Sequence, residues 1–332
     1  MTQNFSDPVI MGDAVFKFFT NGWDDLVRIN PHATVFQTSS WYKSWIQAAA
    51  DYESSEPVIL HIPFDGYSRF AVALQINHAG DKTIRPLSFP WADYHDGVGS
   101  PFDDEAIKLL SQILLEFVNK QQCPLVLNDV VPGGIWERIL YYLPVVESQS
   151  TYTSGINLTD REHLEKIFNK KEHIVKQRRL ERLGKIRCRH HFELNAILKR
   201  FPAFVEMHYE QWKDRSDTVA PFDGKVINTT FDYIIRHLAP RGLILLTEFL
   251  LDDRPIAMYY GFNYRRRYGA YRTTFDNTFR HLSPGHLMLR QMMVDFSLAG
   301  IIELDLMRGD YLYKREYINC SRYNKRFELS VN

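Results

Sequence analysis

Residues 281–290 read HLSPGHLMLR, and Ser283, Pro284 and Gly285 are residue types that start helices. Serine is a favoured N-cap, and proline suits the first helical position because its missing N–H would find no partner there. Glycine lets the backbone turn in without a side chain. A helix opened this way leaves N–H groups at about Gly285, His286 and Leu287 facing out of its end, and such an end attracts anions, phosphate above all. A plain strand-to-helix turn with nothing bound uses the same tripeptide, so both readings stand on these residues alone.

Other chemistry-bearing residues lie close by in sequence. Glu303 and Asp305 alternate inside an apolar run and share one strand face. A strand-end aspartate also commonly caps the following turn. Asp276, at the end of the run before the junction, reads equally as a site carboxylate or as an Asx-turn ahead of Asn277. Between 161 and 200 there are thirteen Lys and Arg against five Glu and no Asp, a local excess of eight positive charges. Within it, Lys171, Lys176, Arg178, Arg179 and Arg182 suit either an anionic ligand or a solvated face. His190 and His191 are adjacent on a strand-like run and point to opposite faces, which argues against a shared metal. The loop FPWADYHDGVGSP (89–101) is dense in polar and aromatic groups, among them Tyr94 and Asp96.

These residues need a scaffold. In the first half, residues 35–50 read as containing a helix capped near Ser39 or Ser40, with Trp41 and Trp45 on one face. Strands follow at 57–63 and 69–77, separated by an Asp65-Gly66 turn signal. A helix at 104–119 carries the stripe Ile107, Leu110, Ile113, Leu114 and Phe117. A strand at 124–131 and a helix at 134–143 complete a compact α/β unit. The second half opens with a strand at 153–158 and one long helix from Asp160 to about Leu183. A strand at 185–194 and helices at about 202–213 and 226–238 come next. Three strands at 242–249, 255–264 and 268–275 have connections short enough for an antiparallel meander. The Ser-Pro-Gly junction, a helix to about Leu298 and a strand at 301–307 close the pattern.

The chain has 332 residues, 45% hydrophobic, which favours two domains, read here as 1–150 and 151–332. Lys and Arg number 40 and so do Asp and Glu, so no global field recruits nucleic acid or an anionic membrane. Cys123, Cys188 and Cys320 lie far apart, with neither a disulfide framework nor zinc-ligand spacing. The N-terminus lacks a secretory leader and no apolar run spans a bilayer, so a soluble, cytoplasmic protein is expected.

Several segments together resemble bacterial acetyltransferases of the cellulose-biosynthesis type, within the GNAT superfamily. They are FQTSSWYKSW (36–45), NKKEHIVKQRRLERLG (169–184), HYEQWK (208–213), DDRPIAMYYGF (252–262), FDNTFRHLSPGHLML (275–289) and AGIIELDLMRGDYLYK (299–314). The resemblance implies an α/β (α+β) chain of two tandem GNAT-like domains, with mostly antiparallel mixed sheets flanked by helices. It also implies acyl transfer from acetyl-CoA or another acyl-CoA to an amine or hydroxyl of a glycan precursor or other small molecule. The diphosphate would rest on the helix end at Ser283, Gly285, His286 and Leu287, with Lys314 reaching a phosphate or the oxyanion. Among this chain's own residues, Asp305 is a candidate general base or a structural anchor, Tyr313 a candidate acid to the departing thiolate or a packing residue, and Asp276 a candidate facing the same region. Lys176, Arg178, Arg179, Tyr94 and Asp96 would meet the acceptor. Of the glycines in the usual GNAT phosphate loop only Gly285 is present, followed by His286 and Leu287. Two alternatives stay open: a transferase using aminoacyl-tRNA, which the neutral total charge disfavours and the 161–200 excess keeps open, and a non-catalytic GNAT-like binding protein, supported by the missing loop glycines.

Overall fold

The computed structural model describes residues 7–52, 55–64, 67–78, 80, 82–100, 102–213 and 225–331. The Asp65-Gly66 turn signal lies outside the described residues. The chain divides into two compact units, one of residues 1–152 with 322–332 and one of 153–321. Residues 322–332, read with the second domain on sequence grounds, thus cluster with the first unit, where residues 325–329 pair with 125–130.

The first unit contains β1 (Val9–Met11), α1 (Asp13–Phe18), α2 (Trp23–Ile29), α3 (Ser39–Tyr52), β2 (Ser55–Phe64), β3 (Tyr67–Asn77), β4 (Thr83–Pro86), β5 (Val98–Gly99), α4 (Asp104–Gln121), β6 (Leu125–Val130) and α5 (Ile135–Leu140). β2 and β3 form a ten-rung antiparallel pair. β4 pairs β6 in parallel, the exception in a mostly antiparallel set. The apolar stripe of α4 is buried as its spacing requires, with Ile107, Leu110 and Leu114 fully covered against Val58, Leu60, Val72 and Leu74. Each such side chain contributes roughly 1.5–3 kcal/mol by leaving water. The cap of α3 differs from expectation. Thr38 Oγ1 accepts from Trp41 N, while Ser39 N and Oγ both donate to Asp24.

The boundary falls within β7 (Val146–Asn157), after which come α6 (Arg161–Phe168), α7 (Lys171–Glu181), β8 (Ile186–His191), α8 (Leu194–Trp212), α9 (Lys225–Leu238), β9 (Ile244–Leu251), β10 (Arg254–Tyr264), β11 (Arg267–Phe275), α10 (Pro284–Leu298), β12 (Glu303–Arg308) and β13 (Cys320–Leu329). The one long helix expected from Asp160 is two. Leu164 and Ile167 are buried on α6, His173 and Leu180 on α7, and Val175 is exposed. The six-residue step from Ile167 to His173 is out of phase with 3.6 residues per turn, so the break at Asn169–Lys170 rotates α7 to bring its own inner face inward. Conversely, α8 begins eight residues before Pro202 and keeps that proline inside. Burial of Ile197, Phe201 and Phe204 on one face outweighs the lost N–H.

The meander is present: β9, β10 and β11 pair antiparallel in sequence. β11 then pairs β12 in parallel, with α10 as the crossover, and β12 pairs β7 antiparallel. β11 and β12 exchange partners only over Arg267–Gly269 and Glu303–Asp305, though β11 runs on to Phe275. Beyond Gly269 the two strands separate. A register shift in β10 at Gly261 accompanies this, where a Cβ would stand 2.2 Å from the Gly269 carbonyl oxygen. The architecture is mixed α/β, with mostly antiparallel sheets flanked by helices. No helix among the described residues is long and apolar enough to cross a membrane.

Candidate functional site

Where β11 leaves β12, the second unit holds a cavity of about 1000 Å³. Tyr259 from β10, Thr273 and Phe275 from β11, and Gly285 and His286 from the first turn of α10 line it. Tyr311 and Tyr313 close one side, and Trp212, at the end of α8, another. The volume is at the upper end of ordinary small-molecule and cofactor sites, and the walls mix aromatic surface with a few polar groups.

The helix end opens on this cavity, yet its first turn is built otherwise than expected. Ser283 has φ 52° and ψ 55°, a left-handed conformation, and makes no side-chain cap. Its carbonyl accepts from His286 N (3.0 Å) and Leu287 N (3.2 Å), so two of the three expected free donors are engaged. Gly285 N–H is the one of the three with no protein acceptor among the described residues. Ser283 Oγ instead accepts from Lys176 Nζ at 2.9 Å, which carries a charge from α7 to the start of α10. Arg280 places a cation on the cavity wall itself.

His286 supplies what the backbone lacks. Its Nδ1 lies 2.7 Å from Tyr317 Oη, and Glu316 Oε2 is 3.6 Å from the same nitrogen. Behind it, buried His173 places Nε2 3.2 Å from Glu316 Oε1, while Lys170 Nζ donates to that oxygen at 2.8 Å. If Tyr317 Oη–H donates to His286 Nδ1, the proton of His286 sits on Nε2. Burial lowers the pKa of both histidines, against the raising pull of Glu316, so both rings are neutral near pH 7. Burial pushes the Glu316 carboxyl up, but the Lys170 hydrogen bond and charge bring it net below the usual range. The ammonium of Lys170 and the hydroxyl of Tyr317 already satisfy this group, which makes it a hydrogen-bond relay rather than a cation site.

Tyr313, whose ring centroid is 6.2 Å from that of His286, and Tyr259 hydrogen-bond to each other. Burial raises Tyr259 to about 12 and Tyr313 well above its ordinary value, so both remain phenols.

The other sequence candidates fall elsewhere. Asp305 does not line the cavity; its Oδ1 accepts from Met307 N at 2.8 Å, bracing a residue with φ 62°. Asp276 forms the Asx-turn, capping Thr278 N at 2.9 Å and pairing with Arg254. Lys314, expected to reach a phosphate or the oxyanion, is buried, and Nζ donates to the carbonyls of Met307 (3.1 Å) and Arg308 (2.7 Å). Arg178 and Arg179 are exposed on α7. Tyr94 and Asp96 are buried within the first unit. Asp96 accepts from Asn30 Nδ2 (2.9 Å), Gly97 N (2.9 Å) and Trp136 N (3.1 Å), capping α5, whose own N-cap is the side-chain-less Gly134. Burial pushes its carboxyl up to about 6, the three hydrogen bonds opposing. His190 and His191 go to different partners, Asp295 and Glu248, as opposite strand faces require. Sequence reasoning missed His173, Glu316, Tyr317, Tyr259 and Arg280. No local spacing announces them, since His173 and Tyr317 meet across 144 residues.

Residues 170–315 match the model of the acetyltransferase (GNAT) domain. Among solved structures, FemX matches with a TM-score of 0.61 at 12% identity, covering 93% of this chain and 95% of that one. A conserved protein of unknown function from Bacteroides thetaiotaomicron matches with a TM-score of 0.59 at 12% identity, over 94% and 97% of the two chains. The C-terminal domain of a protein assigned as a lysylphosphatidylglycerol synthetase from Agrobacterium fabrum gives 0.56 at 10% identity, over 94% and 90%. At these identities the likeness is one of fold. No curated protein matches by sequence.

Proposed function

We propose that this chain, whose residues 170–315 match the GNAT acetyltransferase domain model, transfers an acyl group from an acyl-CoA thioester to an amine or hydroxyl. The observation that carries this reading is the Gly285 N–H at the start of α10, opening on the cavity where β11 and β12 part. A diphosphate there would take hydrogen bonds from Gly285 N–H and His286 Nε2–H, with Lys176 and Arg280 supplying charge. The acyl arm would lie along the parted edge of β11 toward Tyr259 and Tyr313. Attack by the acceptor on the thioester carbonyl gives a tetrahedral intermediate. Its collapse breaks the carbon–sulfur bond, Tyr313, held as a phenol, gives its proton to the thiolate, and the proton released by the acceptor nitrogen or oxygen restores the Tyr313 phenol. A glycan precursor or another amine-bearing small molecule is the acceptor class we infer from the sequence resemblance.

The test is calorimetric titration of the folded chain with acetyl-CoA and with 3′-dephospho-CoA. Binding of both supports the diphosphate contact, and no detectable binding of either removes the proposal. A second reading, an aminoacyl-tRNA donor, is favoured by exposed Arg178, Arg179 and Arg182 on and just beyond α7. It requires tRNA binding that weakens steeply with salt, whereas CoA binding with salt-insensitive acyl transfer supports the first reading.

A further inference from the structure

β8 is an edge strand of the second unit, and its two-residue period sets Cys188 and His190 on one face. Asp295, on α10, meets them there. His190 Nε2 stands 3.1 Å from Asp295 Oδ2, and Cys188 Sγ stands 3.9 Å from the same nitrogen. The thiol sulfur, imidazole nitrogen and carboxylate oxygen all lie within 4.8 Å of one another. We propose that Cys188, His190 and Asp295 form a binding site for a divalent cation of the zinc class, with solvent as fourth ligand.

Three observations point to this. First, ligand atoms around tetrahedral zinc, at bonds of about 2.0–2.3 Å, stand roughly 3.3–3.8 Å apart, so atoms within 4.8 Å of one another need shifts of up to about 1–1.5 Å to seat the ion. Second, the outer atoms are already held. His190 Nδ1 is 2.9 Å from Thr247 Oγ1, its rung partner on β9, and Gln291 Nε2 donates to Asp295 Oδ1 at 2.9 Å. Such contacts leave His190 Nε2 and Asp295 Oδ2 facing each other, the pattern that orients metal ligands. Third, the mixed sulfur, nitrogen and oxygen set suits zinc better than calcium or magnesium, which take oxygen alone. The His190 and Asp295 side chains are 25% and 29% exposed, enough for an ion to enter and for water to complete its shell. Binding releases the thiol proton to solvent as the sulfur–metal bond forms.

Asp295 is ten residues beyond Gly285 on the same helix, roughly 15 Å along its axis. The cation would therefore not touch the cavity. It would tie the edge strand β8 to the C-terminal half of α10, and it stands independently of the proposed acyl transfer.

The test uses the full chain, dialysed against chelator and titrated with Co²⁺. Wild type is expected to bind one Co²⁺ with a near-ultraviolet thiolate-to-cobalt charge-transfer band and tetrahedral visible bands, both lost on adding Zn²⁺. Cys188→Ala should lack the charge-transfer band, and His190→Ala and Thr247→Val should weaken binding by at least about tenfold. Because a variant can misfold, alkylation of the wild type supplies a second readout: Zn²⁺ should slow modification of Cys188 but not of Cys320. No charge-transfer band, a band that survives Cys188→Ala, or equal alkylation with and without Zn²⁺ would each overturn the proposal.

Discussion

Lys176 Nζ donates to Ser283 Oγ at 2.9 Å, across 107 residues of sequence. The contact joins the basic run of α7 to the first turn of α10 and brings a charge to a helix end with one free backbone donor. Lys176→Met removes that charge while keeping much of the side-chain bulk. Removing a hydrogen bond to a charged group costs about 1.5–3 kcal/mol, so acetyl-CoA should bind at least about tenfold more weakly. Calorimetry reads the change. His286→Ala should weaken binding similarly, and Tyr317→Phe by less, because it only frees the tautomer. Unchanged affinity in all three would place the phosphate elsewhere.

Tyr313 and Asp305 separate chemistry from architecture. Tyr313→Phe should lower kcat by about tenfold or more while leaving the donor dissociation constant within a factor of two. Asp305→Asn retains an oxygen for Met307 N and should leave kcat nearly unchanged. A large fall in turnover for Asp305→Asn, with stability intact, would restore it as the base.

The glycines at the parted strands differ in what surrounds them. A Cβ at Gly261 would meet the Gly269 carbonyl at 2.2 Å, and one at Gly285 only Phe275 at 3.8 Å. Gly261→Ala should cost about 1–3 kcal/mol through forced backbone movement. Gly285→Ala should leave stability unchanged or raise it by up to about 1 kcal/mol. Urea unfolding of the two variants decides it.

His208 makes stability depend on pH. Burial first, and then the charge of Arg272, lower its pKa to about 3. Below the unfolded value of about 6.5 the unfolded chain takes up a proton that the folded chain refuses. The stabilisation is therefore complete above that value and declines as pH falls toward 3, by about 1.4 kcal/mol per unit. His208→Phe should flatten this part of the profile. Urea midpoints at pH 6.5 and 5 should fall further in wild type than in the variant, and parallel losses would contradict the assignment.

Sequence by itself determined the meander, the crossover helix and its Ser-Pro-Gly start. Strand alternation, turn residues and helix punctuation are local forces acting within a few residues. The same forces misplaced the break at Asn169 and the start of α8, where burial of His173, Leu180 and Phe201 outweighed local signals. What each polar side chain does was decided by tertiary structure alone. Lys314 looks like a surface lysine until the carbonyls of Met307 and Arg308 close on it, and Asp96 like a site acid until α5 presents its Trp136 N–H. His286, Tyr317, Glu316 and His173 become one relay only when α7 and α10 pack together. Hydrogen bonds and charges act over a few ångströms in space, and separation along the chain carries no trace of them.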